Sequence, residues 1–243
     1  MDQCFFRGIR IDVGGAEEAL EMATAALREG GVICTPNPAI LHEASVNAEL
    51  AYALNASSLA FPDGCGLALA LRIRGIKCGV LPGVELGETL VKLAASEGTP
   101  VMIVGGKKGT ARRAALRLSE KYGAVIPYFT DGYHQYEEEL LTKLSKCGRA
   151  LVLICTGCPR QEIACRILHE KSPGSCFCAL GGSVDVYAGD KKRAPAPFRR
   201  LHLEWLFRMI SEPRRAGAAI KSITGVFTII TDKTLKICTK NNN

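Results

Sequence analysis

Six short apolar runs, rich in β-branched residues, alternate with longer segments of helical periodicity from residue 16 to residue 180. The runs are GVICT (31–35), SLAFP (58–62), PVMIV (100–104), AVIPYF (124–129), ALVLIC (150–155) and CFCAL (176–180). Helix-like segments lie at 16–28, 39–55, 66–74, 85–97, 109–122, 136–147 and 160–171. Runs that are apolar throughout, rather than at every second position, belong to strands covered on both faces. Helices between such strands make the connections of a parallel sheet.

The sequence therefore reads as α/β, with a Rossmann-like, mostly parallel sheet and helices on both faces. At 243 residues, with 47% of them apolar, it can bury a large core. A disordered tail, a collagenous repeat and a disulfide mini-protein are excluded. After Gly189 the pattern changes: Ala194-Pro195-Ala196-Pro197 interrupts any helix and reads as a joint. Beyond it, Phe198 to Ile210 interleaves apolar residues with Arg199, Arg200 and Arg208, as a basic amphipathic helix does. Pro213 ends that helix, and a shorter one is expected from Arg214 to Ile223. The expected organisation is an α/β catalytic domain over 1–195 and a basic helical C-terminal appendage over 196–243.

Charge supports the division. The net charge is +7, yet the last 54 residues hold twelve Lys/Arg against four acids, and the remainder is nearly neutral. An anionic partner is expected at the C-terminal end. The opening MDQCFFRGIRID has no apolar h-region, so a cytoplasmic location with reduced thiols is expected. No stretch approaches the roughly 18 apolar residues of a membrane span. Among eleven cysteines, Cys155 and Cys158 form C-x-x-C and Cys176 and Cys178 form C-x-C. These are either zinc ligands or, given the apolar runs around Cys155 and Cys178, small hydrophobes; the surroundings favour the second.

In a parallel sheet, ligands bind beyond the carboxyl ends of the strands. The candidate site residues are accordingly Thr35-Pro36-Asn37, Asp63-Gly64, Gly105-Gly106, Asp131-Gly132, Gly157-Cys158-Pro159 and Gly181-Gly182-Ser183. Gly105-Gly106-Lys107-Lys108-Gly109, between a strand and a helix, suits a phosphate. With Asp131 about 25 residues on, it also resembles the ribose-binding pattern of a dinucleotide fold, though the glycine spacing differs. Asp63 follows a strand directly and either accepts a proton from an attacking hydroxyl or caps the next helix. Thr35 and Asn37 either bond sugar hydroxyls and hold Asp63 or serve the turn. Gln161 and Glu162 either reach a ligand or complete a first helical turn. Arg193 either meets a pyrophosphate or is solvated. His42, His134, His169 and His202 have no ligand-like spacing. No D-x-D pair is present to hold a divalent ion on a nucleotide sugar, so no metal and no cofactor is expected.

Taken together the strand-end motifs resemble the WecG/TagA/CpsF glycosyltransferases of bacterial surface-polysaccharide assembly. The matching pieces are T-P-N (35–37), P-D-G-C-G (62–66), G-G-K-K-G (105–109), D-G-Y (131–133), G-C-P-R-Q-E (157–162) and G-G-S-V-D-V-Y-A-G (181–189). K-R-A-P (192–195), L-E-W-L-F-R (203–208) and E-P-R-R (212–215) continue the series. The resemblance implies inverting transfer of an N-acetylmannosamine-type sugar from a UDP donor to undecaprenyl-diphosphate-linked GlcNAc, at the inner face of the cell membrane. It gives Asp63 the part of general base, with Thr35 and Asn37 beside it. Gly64, Gly105, Gly106, Asp131, Gly132, Tyr133, Gly157, Pro159, Gln161, Glu162, Gly182, Asp185 and Arg193 fall to the substrate pocket. The basic segment carrying Arg199, Arg200, Arg208, Arg214 and Arg215 falls to docking on anionic lipid. A homo-oligomer is compatible with the family, and nucleic acid is not an expected partner. One departure stands out: the family commonly has an Arg before G-x-D where this chain has Val80-Leu81-Pro82-Gly83-Val84-Glu85. Two rival readings remain at this point, an NAD-type oxidoreductase and a non-catalytic basic binding module.

Overall fold

In the computed structural model, residues 1–191, 195, 198 and 216–238 are described. Six strands, β3 (Gly31–Cys34), β4 (Leu59–Ala60), β5 (Val101–Gly105), β6 (Tyr128–Thr130), β7 (Leu151–Cys155) and β8 (Cys176–Ala179), form one sheet. Its order is β4-β3-β8-β7-β5-β6, and every neighbouring pair is parallel. All residues of β3, β5, β7 and β8 are buried, as their unbroken apolar character requires. AVIPYF yields only the short strand β6, because Pro127 within it has no N–H for the ladder.

The helices are α1 (Ala16–Glu29), α2 (Pro38–Ala44), α3 (Ala48–Ala56), α4 (Cys65–Ile73), α5 (Gly83–Ser96) and α6 (Thr110–Tyr122). They continue as α7 (Glu137–Cys147), α8 (Arg160–Lys171), α9 (Ser183–Tyr187) and α10 (Ala216–Thr231). Right-handed crossovers explain the layering. The chain moves one way across the sheet through α5 and α6 and the other way through α7 and α8. The two pairs therefore cover opposite faces. The expected helix over 39–55 is two helices: Asn47 accepts the Leu50 N–H at 3.1 Å and starts α3 afresh.

Two elements lie outside the sequence reading. The first is an N-terminal hairpin of β1 (Asp2–Phe6) and β2 (Ile9–Val13), turned by Arg7 and Gly8 at φ of 51° and 80°. Two successive positive φ angles make the tight hairpin turn whose twist matches its strands. The second is β9 (Lys236–Cys238), which pairs antiparallel with β1 and completes a three-stranded sheet of order β2-β1-β9. Between them, α10 runs eight residues beyond the expected end at Ile223. Its second half, TGVFTIIT, is rich in β-branched residues, and packing overrides that propensity. Ile229 is fully buried, and Gly225 lies so close to the Pro38 backbone that a Cβ there would overlap it. Arg7 closes the arrangement with a 2.8 Å ion pair to Asp232, and Arg74 donates to the Ile230 and Asp232 carbonyls.

Asp12 ties the hairpin to the site. It is 1% exposed, and its carboxylate accepts the Ala60 N–H (2.7 Å), Arg10 Nη2 (3.2 Å) and Gln3 Nε2 (3.2 Å). A buried carboxylate with three donors is satisfied. The consequence is that the end of β4, three residues before Asp63, is anchored from outside the main sheet.

Candidate active site

The loops after β3 and β4 meet first. Asp63 N–H donates to the Pro36 carbonyl at 2.9 Å, which joins the T-P-N turn to the Asp63 turn through backbone. Asp63 is half-buried. Its Oδ1 accepts the Gly83 N–H at 3.1 Å from the first turn of α5. Gly64 occupies the N-terminal cap position of α4, one residue after Asp63. Leu81 N–H reaches the Pro62 carbonyl at 3.4 Å. The stretch that departs from the family pattern therefore runs alongside Asp63.

Thr35 and Asn37 serve the frame around that carboxylate. The Thr35 hydroxyl donates to the Ala179 carbonyl at 3.4 Å and links the ends of β3 and β8. Asn37 Oδ1 accepts from Ala39 and Ile40 N–H at 3.0 and 3.1 Å, capping α2 with Pro38 in its first turn.

On the other side, the loops after β5, β6 and β7 converge. Gly105 stands where a Cβ would overlap the Cys155 carbonyl, and a Cβ at Gly132 would lie 2.8 Å from Thr156 Cγ2 and 3.3 Å from Gly105 Cα. Neither position admits a side chain without displacement. Arg160 Nη2 donates to the Gly132 carbonyl at 3.1 Å. Gly106, Lys107, Lys108 and Gly109 follow, and the side chains of Lys107 and Lys108 are exposed at the N-terminus of α6. Free N–H groups, a helix dipole and two ammonium groups suit a diphosphate.

Asp131 is differently placed from a free ribose-binding acid. Its Oδ1 already accepts the Tyr133 N–H (3.1 Å) and contacts His134 Nδ1 (3.0 Å), while His134 Nε2 meets Thr130 Oγ1 at 2.9 Å. The Tyr133 N–H, then His134, hold this carboxyl below the usual range, so it stays ionised. His134, bland by spacing, is thus the partner of a site residue. Tyr133 itself is 73% exposed at the rim.

The loops after β7 and β8 are joined by Gln161, whose Oε1 accepts the Gly157 N–H (3.1 Å) and the Gly181 N–H (2.9 Å). Its Nε2 donates to Glu162 Oε1 at 2.8 Å. Glu162 is buried, away from any soluble ligand, and burial raises its pKa. Pro159 caps α8 after a cis Cys158–Pro159 bond. Gly182 caps α9, where Asp185 pairs with Lys191 Nζ at 2.8 Å. Asp190, one residue earlier, takes the Thr110 hydroxyl at 2.8 Å and two nitrogens of Arg113. The root of the C-terminal segment is therefore clasped to the first turn of α6. Arg193, Arg199, Arg200, Arg208, Arg214 and Arg215 lie outside the described residues.

Three of the four motif cysteines follow the apolar reading, and Cys158 is exposed. Cys155, Cys176 and Cys178 are buried, with the last two sulfurs 3.8 Å apart, and burial pushes the Cys155 thiol up to about 12. Among the described residues no group of three or more His, Cys, Asp or Glu side chains is placed to hold a metal ion. Among them, too, no helix is long and apolar enough to cross a membrane.

All six strand-end loops are thus connected by direct contacts at one rim of the sheet. Residues 4–236, nearly the whole chain, match the glycosyl transferase WecG/TagA/CpsF family. That match replaces both rival readings. The chain belongs to the WecG/TagA/CpsF family of glycosyltransferases.

Proposed function

We propose that the protein transfers an N-acetylmannosamine-type sugar from a UDP donor to the GlcNAc of an undecaprenyl-diphosphate-linked acceptor, with inversion. Asp63 takes the proton of the acceptor hydroxyl, whose oxygen attacks the anomeric carbon. The bond from that carbon to UDP breaks, and UDP leaves with its electron pair. The product serves cell-wall teichoic acid or a related surface polysaccharide.

The observation that carries this reading is the placement of Asp63: half-buried at a strand's carboxyl end, with its Oδ1 oriented by the Gly83 N–H. General-base catalysis needs a carboxylate held within reach of the attacking hydroxyl. The N-terminus of α6, with Lys107 and Lys108, is suited to the leaving diphosphate, and exposed Tyr133 offers a face for the uracil ring. The Arg that the family commonly has near Leu81 is absent here, and Arg193 is the cation we assign in its place. No metal is assigned a step, since these cations and N–H groups answer the departing charge.

The basic appendage fits the other substrate. A lipid-linked acceptor lies at the membrane, and each Lys/Arg near an anionic surface contributes about 1 kcal/mol of attraction. Arg199, Arg200, Arg208, Arg214 and Arg215 make a reversible, salt-sensitive attachment at the inner membrane face.

The test is Asp63→Asn, assayed by UDP release with an undecaprenyl-diphosphate-GlcNAc analogue and a panel of UDP-sugars, with and without EDTA. Turnover falls by about 10²-fold or more, the ordinary scale for loss of a general base. The Asn carbonyl still accepts the Gly83 N–H, so folding is kept. Near-normal turnover removes Asp63 from the mechanism, and loss of activity in EDTA removes the metal-free account.

A further inference from the structure

Gln161 and Glu162 share the first turn of α8, and both are buried. Gln161 Oε1 serves two N–H donors, from Gly157 and Gly181, and these belong to the loops after β7 and β8. Those donors define which end of the amide is oxygen. A flipped amide would aim its NH₂ group at both N–H groups and its oxygen at a carboxyl oxygen. The remaining contact, Nε2 to Glu162 Oε1 at 2.8 Å, restrains the other end of the amide and reinforces that orientation.

Glu162 is an unusual residue to find there. It is 1% exposed, and its Oε2 is buried with no hydrogen-bond partner among the described residues. The Cys158 thiol in the preceding loop lies within hydrogen-bonding reach of its carboxyl, and the thiols of Cys34 at the end of β3 and Cys165 on its own helix feel its charge. Glu43 of α2 lies beyond Cys158. None of these is a cation. Burying a carboxyl without one is costly, and an apolar residue would pack the same space at less expense. An apolar residue would lack the acceptor that Gln161 Nε2 uses at 2.8 Å, as well as a partner for the Cys158 thiol.

We infer that Glu162 is a positioning residue of the donor site: by accepting from Gln161 it locks the amide that spaces the loops after β7 and β8. What those loops hold rests on the glycosyltransferase reading above; the clasp itself does not.

The experiment compares the full-length protein with Glu162→Gln, Glu162→Leu and Gln161→Met. Site-resolved amide hydrogen exchange at Gly157 and Gly181 reads the clasp, and calorimetric titration with UDP reads the donor site. Glu162→Leu keeps the volume but removes the acceptor, so both glycine amides should exchange about tenfold faster, the ordinary scale of one hydrogen bond. UDP should bind about tenfold more weakly in the same variant. Glu162→Gln restores an acceptor oxygen and should restore protection and binding relative to Glu162→Leu, which loss of packing alone does not explain. Should Glu162→Leu fail to fold, Gln161→Met must show the same loss of protection with Glu162 in place. Unchanged exchange in the folded Leu and Met variants, or a Gln variant as unprotected as the Leu variant, overturns the inference. A wild-type protein that does not bind UDP removes the donor reading, while the exchange data still decide the clasp.

Discussion

The hydrogen bond from Gly83 to Asp63 can be removed without substituting Asp63. Gly83 is the first residue of α5, where a backbone N–H has no partner within the helix and where proline is well tolerated. Gly83→Pro deletes the donor and places a ring carbon where the hydrogen pointed at Asp63 Oδ1, 3.1 Å from the nitrogen. Gly83→Ala is the control: it keeps the N–H and adds the same Cβ, 3.1 Å from Thr35 Oγ1. That tight contact is offset in part by the lower backbone entropy of Ala, about 0.5–1 kcal/mol. A hydrogen bond to a charged group contributes about 1.5–3 kcal/mol, so loss of orientation should lower turnover by about 10- to 100-fold in Gly83→Pro relative to Gly83→Ala. The assay is UDP release at saturating donor and acceptor, with thermal melting to show that the two variants are equally folded. Equal turnover in two equally stable variants would falsify the claim that this N–H aims the base.

The closeness of the loops after β5, β6 and β7 predicts that Gly132→Ala, whose Cβ would lie 2.8 Å from Thr156 Cγ2, costs about 1–3 kcal/mol by overpacking. Adding Thr156→Ser, which removes that methyl, should recover most of the melting temperature; a strictly additive double mutant contradicts the contact. Asp12→Ala strips a buried anchor and leaves the Ala60 N–H and Arg10 without their acceptor, so a loss of about 3 kcal/mol in urea unfolding is expected, together with reduced turnover. For Asp131 the folded pKa is depressed, so its stabilising contribution is present above the ordinary carboxylate pKa and fades as pH falls through the depressed value. His134→Ala should raise that pKa while leaving it below 3.8, because the Tyr133 N–H is the larger cause; an NMR titration showing no change rules out the pair. Truncation after Gly189 should abolish transfer and liposome binding and lower the melting temperature, since β9 and α10 cover β1, α2 and α4. The six-stranded sheet contains no residue beyond Ala179 and should keep its circular-dichroism signature.

Much of the architecture is legible because its cause is local. A strand buried on both faces is apolar throughout, and each of the six runs becomes a strand of the parallel sheet at its expected place in the chain. The misses have equally local or equally remote causes. The hairpin at residues 2–13 turns on Arg7 and Gly8, a weaker signal than Asn-Gly, and its strands alternate too briefly to stand out. The break between α2 and α3 is visible in hindsight at Asn47, a capping residue inside an otherwise helical stretch. The second half of α10 carried no helical signal, because contacts with Pro38 and the core hold it rather than its own propensities.

The site shows the same division more sharply. Order along the chain determines that small and polar residues follow the strands, and that these ends face one rim, because parallel strands all point the same way. It does not determine which loop touches which. Asp63 finds Gly83 across 20 residues and Thr35 finds Ala179 across 144, and both pairings depend on the strand order β4-β3-β8-β7-β5-β6. Gly83 and Asp190 became site neighbours only in three dimensions. Periodicity records whether a residue is covered; the partner that covers it is chosen by packing among distant segments, and only the tertiary structure decides that.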